Sequence, residues 1–434
     1  MHMNLTTHKQ HSLALGVALA LMVPSAVFAQ QKAEQQKQDE NNFIEQIVVT
    51  GSASGTAVRK VEASYATTLI SAADIKKLAP KSTADLFKAI PGVWAESSGG
   101  VAGANVFVRG FPGGGDAPFL TLQVQGVPIF PPSTLSFLEN SSLFRIDETI
   151  EIVDALRGGP ASVVSSGQPG LTTNFLLKEG SDETEGSIKY STSDYDLQRI
   201  DAVVSGKLAE DLYFMFGGYV QQSPGIRDAG FNSEKGNQFT LNITKILDNG
   251  KINFFTRSTD DHGAWYLPTP LVDGVDNNYT QLGTLNRQAT IQYGPDGTSE
   301  SVDFGEGRGW KGTVTGGSVN LEFAEGWTFV DRFAHLSGDA DTLGLVPNGN
   351  PALLSSVADN GVSAIGAVTG DVYDGDTLVQ QVGRWVVRKD IESFTNDVAI
   401  TKQTDKFKAS LGLYVANFSS NDWWSIGNQS YHVI

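Results

Sequence analysis

Apolar and polar residues alternate one for one along much of the second half of the chain. Over 200–208, Ile200, Ala202, Val204 and Leu208 fall on one side and Asp201, Ser205 and Lys207 on the other. Over 239–244, Phe239, Leu241 and Ile243 alternate with Thr240, Asn242 and Thr244. Over 407–415, Phe407, Ala409, Leu411, Leu413 and Val415 alternate with Lys408, Ser410, Gly412 and Tyr414. A period of two predicts strands with one apolar face. Nine are predicted, near 186–193, 198–208, 212–221, 238–247, 251–258, 317–323, 327–336, 393–403 and 407–417. Tight turns are predicted near Ala209-Glu210-Asp211, Asp248-Asn249-Gly250, Ala324-Glu325-Gly326 and Thr404-Asp405-Lys406, Asn-Gly being a strong hairpin signal. The other connections are mostly long, about 222–237, 258–316 and 337–392. Short and long connections that alternate fit a membrane barrel with short periplasmic turns and long extracellular loops. A soluble β-sandwich rarely spaces its loops so regularly, and loops this long are uncommon in compact domains.

Residues 57–180 carry mixed periodicity and predict an α+β domain. Thr67 to Ile70 is a short strand. Ser71 with Asp74 three residues on resembles a capping box, and the helix it opens stops near Leu78, before Pro80. A second helix from Ser82 carries Leu86, Phe87 and Ile90 and ends at Pro91-Gly92. Strands are predicted at 104–109, 120–125, 148–153 and 172–178.

The first residues read as an export signal. Lys9 with His8 and His11 is weakly basic, Leu13 to Val23 is an unbroken apolar run, and Val27-Phe28-Ala29 offers small residues at alternate positions to a signal peptidase. A transmembrane anchor needs about 20 apolar residues, roughly twice this run. The expected divisions are 1–29 signal peptide, 30–56 tether, 57–180 the α+β domain and 181–434 the strand-rich region. Gln30 to Asn42 is rich in Gln, Lys, Glu and Asn and cannot bury surface. After it, Ile47, Val48 and Val49 are β-prone between two pliant stretches. Such a segment can add a strand to a partner's sheet, or can open the next domain.

Composition narrows the function. The formal net charge of -17 and the lack of any basic stripe argue against nucleic acid. With no cysteine, disulfides and thiolate-bound metals are excluded. The six histidines show no metal spacing. No nucleophile elbow, phosphate loop or dinucleotide fingerprint follows a strand, so neither an enzyme nor a resident cofactor is expected.

Several segments, in order, resemble the TonB-dependent outer-membrane receptors. Glu45-Gln46-Ile47-Val48-Val49-Thr50-Gly51 resembles the TonB box. Ala84-Asp85-Leu86-Phe87-Lys88-Ala89-Ile90-Pro91-Gly92-Val93 resembles the early helical region of the family's plug, and Asn105 to Phe111 its Arg-Gly-Phe strand. Val124-Gln125-Gly126-Val127-Pro128 resembles its Asp-Gly-Val-Pro turn with Gln125 in place of Asp. Glu151-Ile152-Val153 with Leu156-Arg157-Gly158-Gly159-Pro160 resembles its Val-Glu-Val-Leu-Arg-Gly-Pro signature, lengthened by Asp154-Ala155 and a doubled Gly. The resemblance implies an α+β plug domain followed by an antiparallel transmembrane β-barrel of the Gram-negative outer membrane. The nine strands compare with the roughly 22 of plugged outer-membrane transporters, so the chain reads as the front part of a longer receptor.

The same resemblance implies a mechanism. Ligand binds from outside, TonB pairs with Glu45, Gln46, Ile47, Val48 and Val49 as an added strand, and proton motive force relayed by ExbB and ExbD displaces the plug. Arg109 and Arg157 are candidate latches between plug and acidic wall residues, or solvated arginines on a plug strand. Trp94, Phe111, Trp265 and Tyr266, with Trp423 and Trp424, are candidate ligand contacts, or aromatics of the interface girdle. Expected partners are TonB, outer-membrane lipid and a nutrient, either a ferric siderophore or a glycan. A passive porin is the rival from another class; the plug and the TonB box argue against it.

Overall fold

The computed structural model describes residues 47–48, 58–59 and 66–434, the last without 98, 103, 112–118, 132–139, 159–168, 273–278, 280, 294, 359–362 and 428–429. The expected signal peptide, most of the tether, and Glu45, Gln46 and Val49 lie outside the described residues. Ile47–Val48 and Val58–Arg59 form a two-stranded sheet.

Ser71 ends the first strand of the α+β region, β1 (Ala66–Ser71), and opens its first helix, α1 (Ala72–Leu78). The Ser71 hydroxyl accepts from the Asp74 amide at 3.2 Å, and the Asp74 carboxylate accepts from the Ser71 amide at 3.2 Å. Two of the orphan amides of the first turn are thereby satisfied. Helix α2 (Thr83–Phe87) is capped by Ser82 and buries Thr83, Ala84, Leu86 and Phe87. It ends at Phe87, earlier than expected, because the amides of Lys88, Ala89 and Ile90 turn back to carbonyls three residues behind, and the chain reaches Pro91 as tight turns. A strand that the pattern did not announce follows, β2 (Val93–Glu96), paired in a hairpin with β3 (Asn105–Val108), the strand expected at 104–109. The remaining plug strands are β4 (Leu120–Val124), β5 (Val127–Pro128), β6 (Ile150–Arg157) and β7 (Leu171–Leu177). The sheet runs in the order β1-β6-β7-β4-β5, with β4 and β7 parallel and the other pairs antiparallel. Gln125 and Gly126 join β4 to β5 with φ of 53° and 85°, the two positive values a type I′ hairpin demands.

From Glu185 the chain builds one antiparallel sheet. Its long strands are β8 (Glu185–Thr192), β9 (Gln198–Ala209), β10 (Leu212–Ser223), β11 (Glu234–Leu247) and β12 (Gly250–Gly263). A small hairpin, β13 (Gln288–Gln292) with β14 (Ser299–Asp303), interrupts the meander. It resumes with β15 (Arg308–Ala324) and β16 (Trp327–Leu353). A second small hairpin, β17 (Ser363–Ile365) with β18 (Val372–Asp374), precedes β19 (Leu378–Gln403), β20 (Lys408–Ser425) and β21 (Ser430–Val433). Each long strand pairs with the next, and β21 pairs with β19. The nine expected strands are all present in the expected order; the expected faces hold in β9 and β11, whereas 408–415 in β20 is exposed on both faces. Ile200, Val204 and Phe239 are exposed, while Asp201, Thr240 and Asn242 are buried.

The expected long connections prove shorter than the pattern suggested. Strands run on into them, to 27 residues in β16 and 26 in β19. The reason lies in the outer face near the long-loop end. There Asp260, Lys311, Asp339, Asp390 and Asn421 are successive cross-strand partners. Where both faces of a sheet are polar, the two-residue alternation that marks a half-buried strand vanishes.

The inner face of this wall carries the plug. Met215, Phe255, Trp310, Val314, Leu336 and Ile391 of the wall share one apolar core with Leu86, Phe87, Val106, Leu122 and Phe175 of the plug. No helix among the described residues is long and apolar enough to cross a membrane, which leaves crossing by strands untouched.

A charged seam between plug and wall

Asn140–Leu143 forms a single 3-10 turn before the chain enters β6. The six residues between, Phe144 to Thr149, follow no regular structure, yet every one is buried. Their backbone groups therefore need partners from elsewhere, and the wall supplies them. Arg199 donates to the Ile146 carbonyl at 2.9 Å, Gln238 to the Arg145 carbonyl at 3.1 Å, and Arg257 to that same carbonyl.

The side chains of this segment make the ion pairs. Arg145 Nε meets Asp261 at 2.7 Å, with both side chains almost fully buried. The same carboxylate accepts from the Tyr219 hydroxyl at 2.8 Å and from Gln221 at 2.7 Å. Its reach across β11 depends on Gly236, where a Cβ would stand 2.3 Å from Asp261 Oδ2. Asp147 meets Arg257 at 3.2 Å and accepts from Gln238 at 2.6 Å and from the Thr149 amide at 3.0 Å. Burial alone would raise the Asp147 carboxyl, but Arg257 and the bonds from Thr149 and Gln238 outweigh it and hold the group below the usual carboxylate range. Glu148 takes Lys189 at 2.6 Å and Lys76 at 3.3 Å. Arg199 grips Asp201 and lies 3.9 Å over the Tyr219 ring.

A second set of contacts is neutral. Thr395 and Ser393 donate to the carbonyls of Pro128 and Ile129 at 2.5 and 2.6 Å, and Asn242 donates to the Lys178 carbonyl at 2.9 Å. Arg332, which meets Asp397 at 3.6 Å, packs against Gly126.

Arg109 and Arg157 are placed differently from these residues. Arg109 is exposed, at a φ of 52° in the turn after β3. Its guanidinium lies against Gly158, where a Cβ would stand 1.8 Å from Nη1. Arg157 is half-buried in β6, and its Nε has no hydrogen-bond partner among the described residues. Among those residues neither arginine makes an ion pair with a wall carboxylate. Arg145, Asp147 and Glu148 went unnoticed in the sequence. Inward polar positions on paired wall strands, such as Asp201, were the available signal.

The aromatic candidates separate into three places. Trp94 is exposed and stacks on Phe107 at 5.0 Å; Phe111 stacks on Phe119 at 4.7 Å. Trp265 and Tyr266 lie together at the long-loop end, where they line a cavity of about 500 Å³ with Arg227, Tyr279, Gln281 and Phe304. Trp423 packs edge-on against Tyr293 of the small hairpin, and Trp424 lies over Lys389. No cluster of metal-ligating side chains occurs among the described residues.

Comparison with known proteins agrees with this architecture. Residues 59–172 match the model of the TonB-dependent receptor plug domain. Over 226 residues the chain is 29% identical to PirA of Acinetobacter baumannii, described as a probable TonB-dependent siderophore receptor, covering 46% of this chain and 29% of that protein. Among solved structures, the pyoverdine outer-membrane receptor FpvA of Pseudomonas aeruginosa, bound to pyoverdine, aligns with a TM-score of 0.57 at 15% identity over 89% of this chain and 52% of that one. BauA, the ferric preacinetobactin receptor of Acinetobacter baumannii, aligns with a TM-score of 0.54 at 14% identity over 87% and 50%. At such identities the structural likeness speaks for the fold. The chain spans about half the length of these solved relatives.

Proposed function

We propose that this chain, whose residues 59–172 match the TonB-dependent receptor plug domain and whose fold is that of such receptors, is part of a receptor of the Gram-negative outer membrane that takes up a scarce nutrient by TonB-driven displacement of the plug. The cargo proposed is a ferric siderophore, in line with the names of the relatives. One observation carries the reading. The plug is held to the wall through a seam of ion pairs and hydrogen bonds around Phe144 to Thr149 as well as through apolar contact. Polar contacts can exchange for water as they open, so a plug held in this way can be pulled aside and can reseat.

The outer membrane has no nucleotide supply of its own, and work must therefore arrive mechanically. The stretch Glu45 to Val49 is proposed as the grip, because strand addition loads several backbone hydrogen bonds in parallel. The leader 1–29 is proposed as the export signal, and ExbB and ExbD as indirect partners. Arg109 and Arg157 remain proposed as latches between the plug and acidic wall residues, to close when the plug moves from its present position. Trp94 and Phe111 remain proposed as contacts for cargo at the plug's exposed edge.

The test is uptake of radiolabelled iron by a deletion strain and its complemented parent, each offered ferric siderophores one at a time under iron limitation. A siderophore whose uptake requires the gene supports the reading. Equal uptake in both strains for every siderophore, with a growth defect on a glycan instead, would move the cargo to oligosaccharides.

A further inference from the structure

The outer face of the wall carries a groove near its long-loop end. Asp260, Lys311, Asp339, Asp390 and Asn421 form one cross-strand row there, and Gly309, Asp341, Arg388 and Trp423 form the row above it. Together the two rows line a groove of about 620 Å³. It faces away from the plug. Asp390 is on the side of the exposed Phe394, whereas Ile391 and Ser393 turn to the plug. The hairpin of β13 and β14 closes the upper end of the groove. Its Ile291 and Val302 pack with Leu343, Val382 and Val386. Arg388 donates to Glu300 at 3.0 Å, and Tyr293 meets Trp423 edge-on.

Height decides what can reach the groove. Phe394 is the last exposed apolar residue on this face of β19, and Asp390 lies four residues beyond it toward the long loops. At about 3.4 Å per residue that is about 14 Å along the strand, or about 10 Å along the membrane normal for a strand tilted by about 45°. The head-group region adds only roughly 5–8 Å to each side of the hydrocarbon. The groove therefore stands beyond the head groups, beside what the outer leaflet projects from them. In a Gram-negative outer membrane that is the oligosaccharide of lipopolysaccharide.

The chemistry of the groove points to the same partner. Its two outward cations are committed, Lys311 to Asp260 at 3.2 Å and Arg388 to Glu300. The carboxylates of Asp339, Asp341, Asp390 and Glu306 make no ion pair or hydrogen bond among the described residues. Such a surface repels a phosphate but accepts well from hydroxyls, because a hydrogen bond to a charged acceptor is about twice as strong as a neutral one. Trp423 adds an aromatic ring, an apolar platform for the C–H face of a sugar. We infer that this groove holds neutral sugar rings of the lipopolysaccharide core, with Asp339, Asp341, Asp390 and Glu306 accepting from their hydroxyls and Trp423 packing on a ring. The inference rests on the outer-membrane placement in the proposed function and not on uptake. Groove and plug lie on opposite sides of the wall, so it needs neither TonB nor cargo.

The test uses the full receptor purified in detergent and two lipopolysaccharides with the same lipid A. One carries a complete core; the other ends at the innermost acidic sugars. Binding of each is titrated with EDTA present. We expect the complete core to bind at least about tenfold tighter. Asp339→Asn combined with Asp390→Asn, both exposed positions, should abolish that preference and leave the affinity for the truncated form unchanged. Trp423→Ala should reduce the preference. Heat-modifiable migration confirms a folded barrel in each variant. Equal affinity of the parent receptor for the two forms overturns the inference. So does tighter binding of both forms by the double variant, the mark of plain repulsion between carboxylates and phosphates. A preference that appears only when Ca²⁺ replaces EDTA overturns it as well, because a cation bridge then makes the contact. If the core preference holds while iron uptake proves independent of TonB, the uptake reading fails and this one stands.

Discussion

Asp261→Asn removes one charge from the centre of the seam at almost constant volume. In the folded chain Asp261 accepts from Arg145, Tyr219 and Gln221, and both members of its ion pair are almost wholly shielded from solvent. An asparagine has one accepting oxygen where the carboxylate has two, and it leaves the Arg145 charge buried with no counter-ion. Breaking a buried pair in this way costs about 3–5 kcal/mol. The neighbouring residue provides an internal control. Asp260 points outward and pairs with Lys311 at 3.2 Å, both being well exposed, and an exposed pair contributes about 0–1 kcal/mol. Hydrogen exchange of the amides in β6, the plug strand that follows the seam, reads the opening of the plug. Asp261→Asn should speed exchange there by roughly two to four orders of magnitude, and Asp260→Asn by less than about tenfold. Equal, small effects from the two changes would refute the claim that the seam holds the plug.

The seam also predicts an acid response. Asp147 has its carboxyl lowered in the folded chain, so the unfolded chain binds its proton more readily. Its stabilisation is complete above the unfolded carboxylate value near about 4 and is lost as pH falls through the lower folded value. Plug melting followed from neutral pH down to about pH 3 should show this decline, and Asp147→Asn should flatten it. At the plug's entrance, Ser71→Ala deletes one half of the capping box and should cost about 1 kcal/mol of plug stability by thermal melting. A change within about 0.3 kcal/mol would mean that water replaces the cap.

The fold was readable where only one face of a strand meets apolar surroundings. Ile200, Val204 and Phe239 carried that signal, and turn residues such as Gly326, at a φ of +63°, marked the short ends. The signal failed above the apolar zone, where Asp260, Lys311 and Asp339 continue the outer face. It failed also at the seam. Phe144 to Thr149 has no periodicity, because its burial is imposed by wall strands that lie 50 to more than 110 residues further along the chain. No local pattern can show that Arg145 will meet Asp261. A partial signal was available on the wall, since Arg257, Thr259 and Asp261 are polar residues at inward positions.

In the proposed mechanism, force applied to the segment at Ile47–Val48 moves the plug and admits cargo. The most direct measurement compares binding and uptake of a radiolabelled ferric siderophore by cells that produce the receptor with or without Val48→Pro, a change that removes a backbone donor needed for strand addition. Binding should be unchanged and uptake reduced to the level of cells lacking TonB. Full uptake by the proline variant, or uptake that persists when the proton motive force is dissipated, would contradict that mechanism.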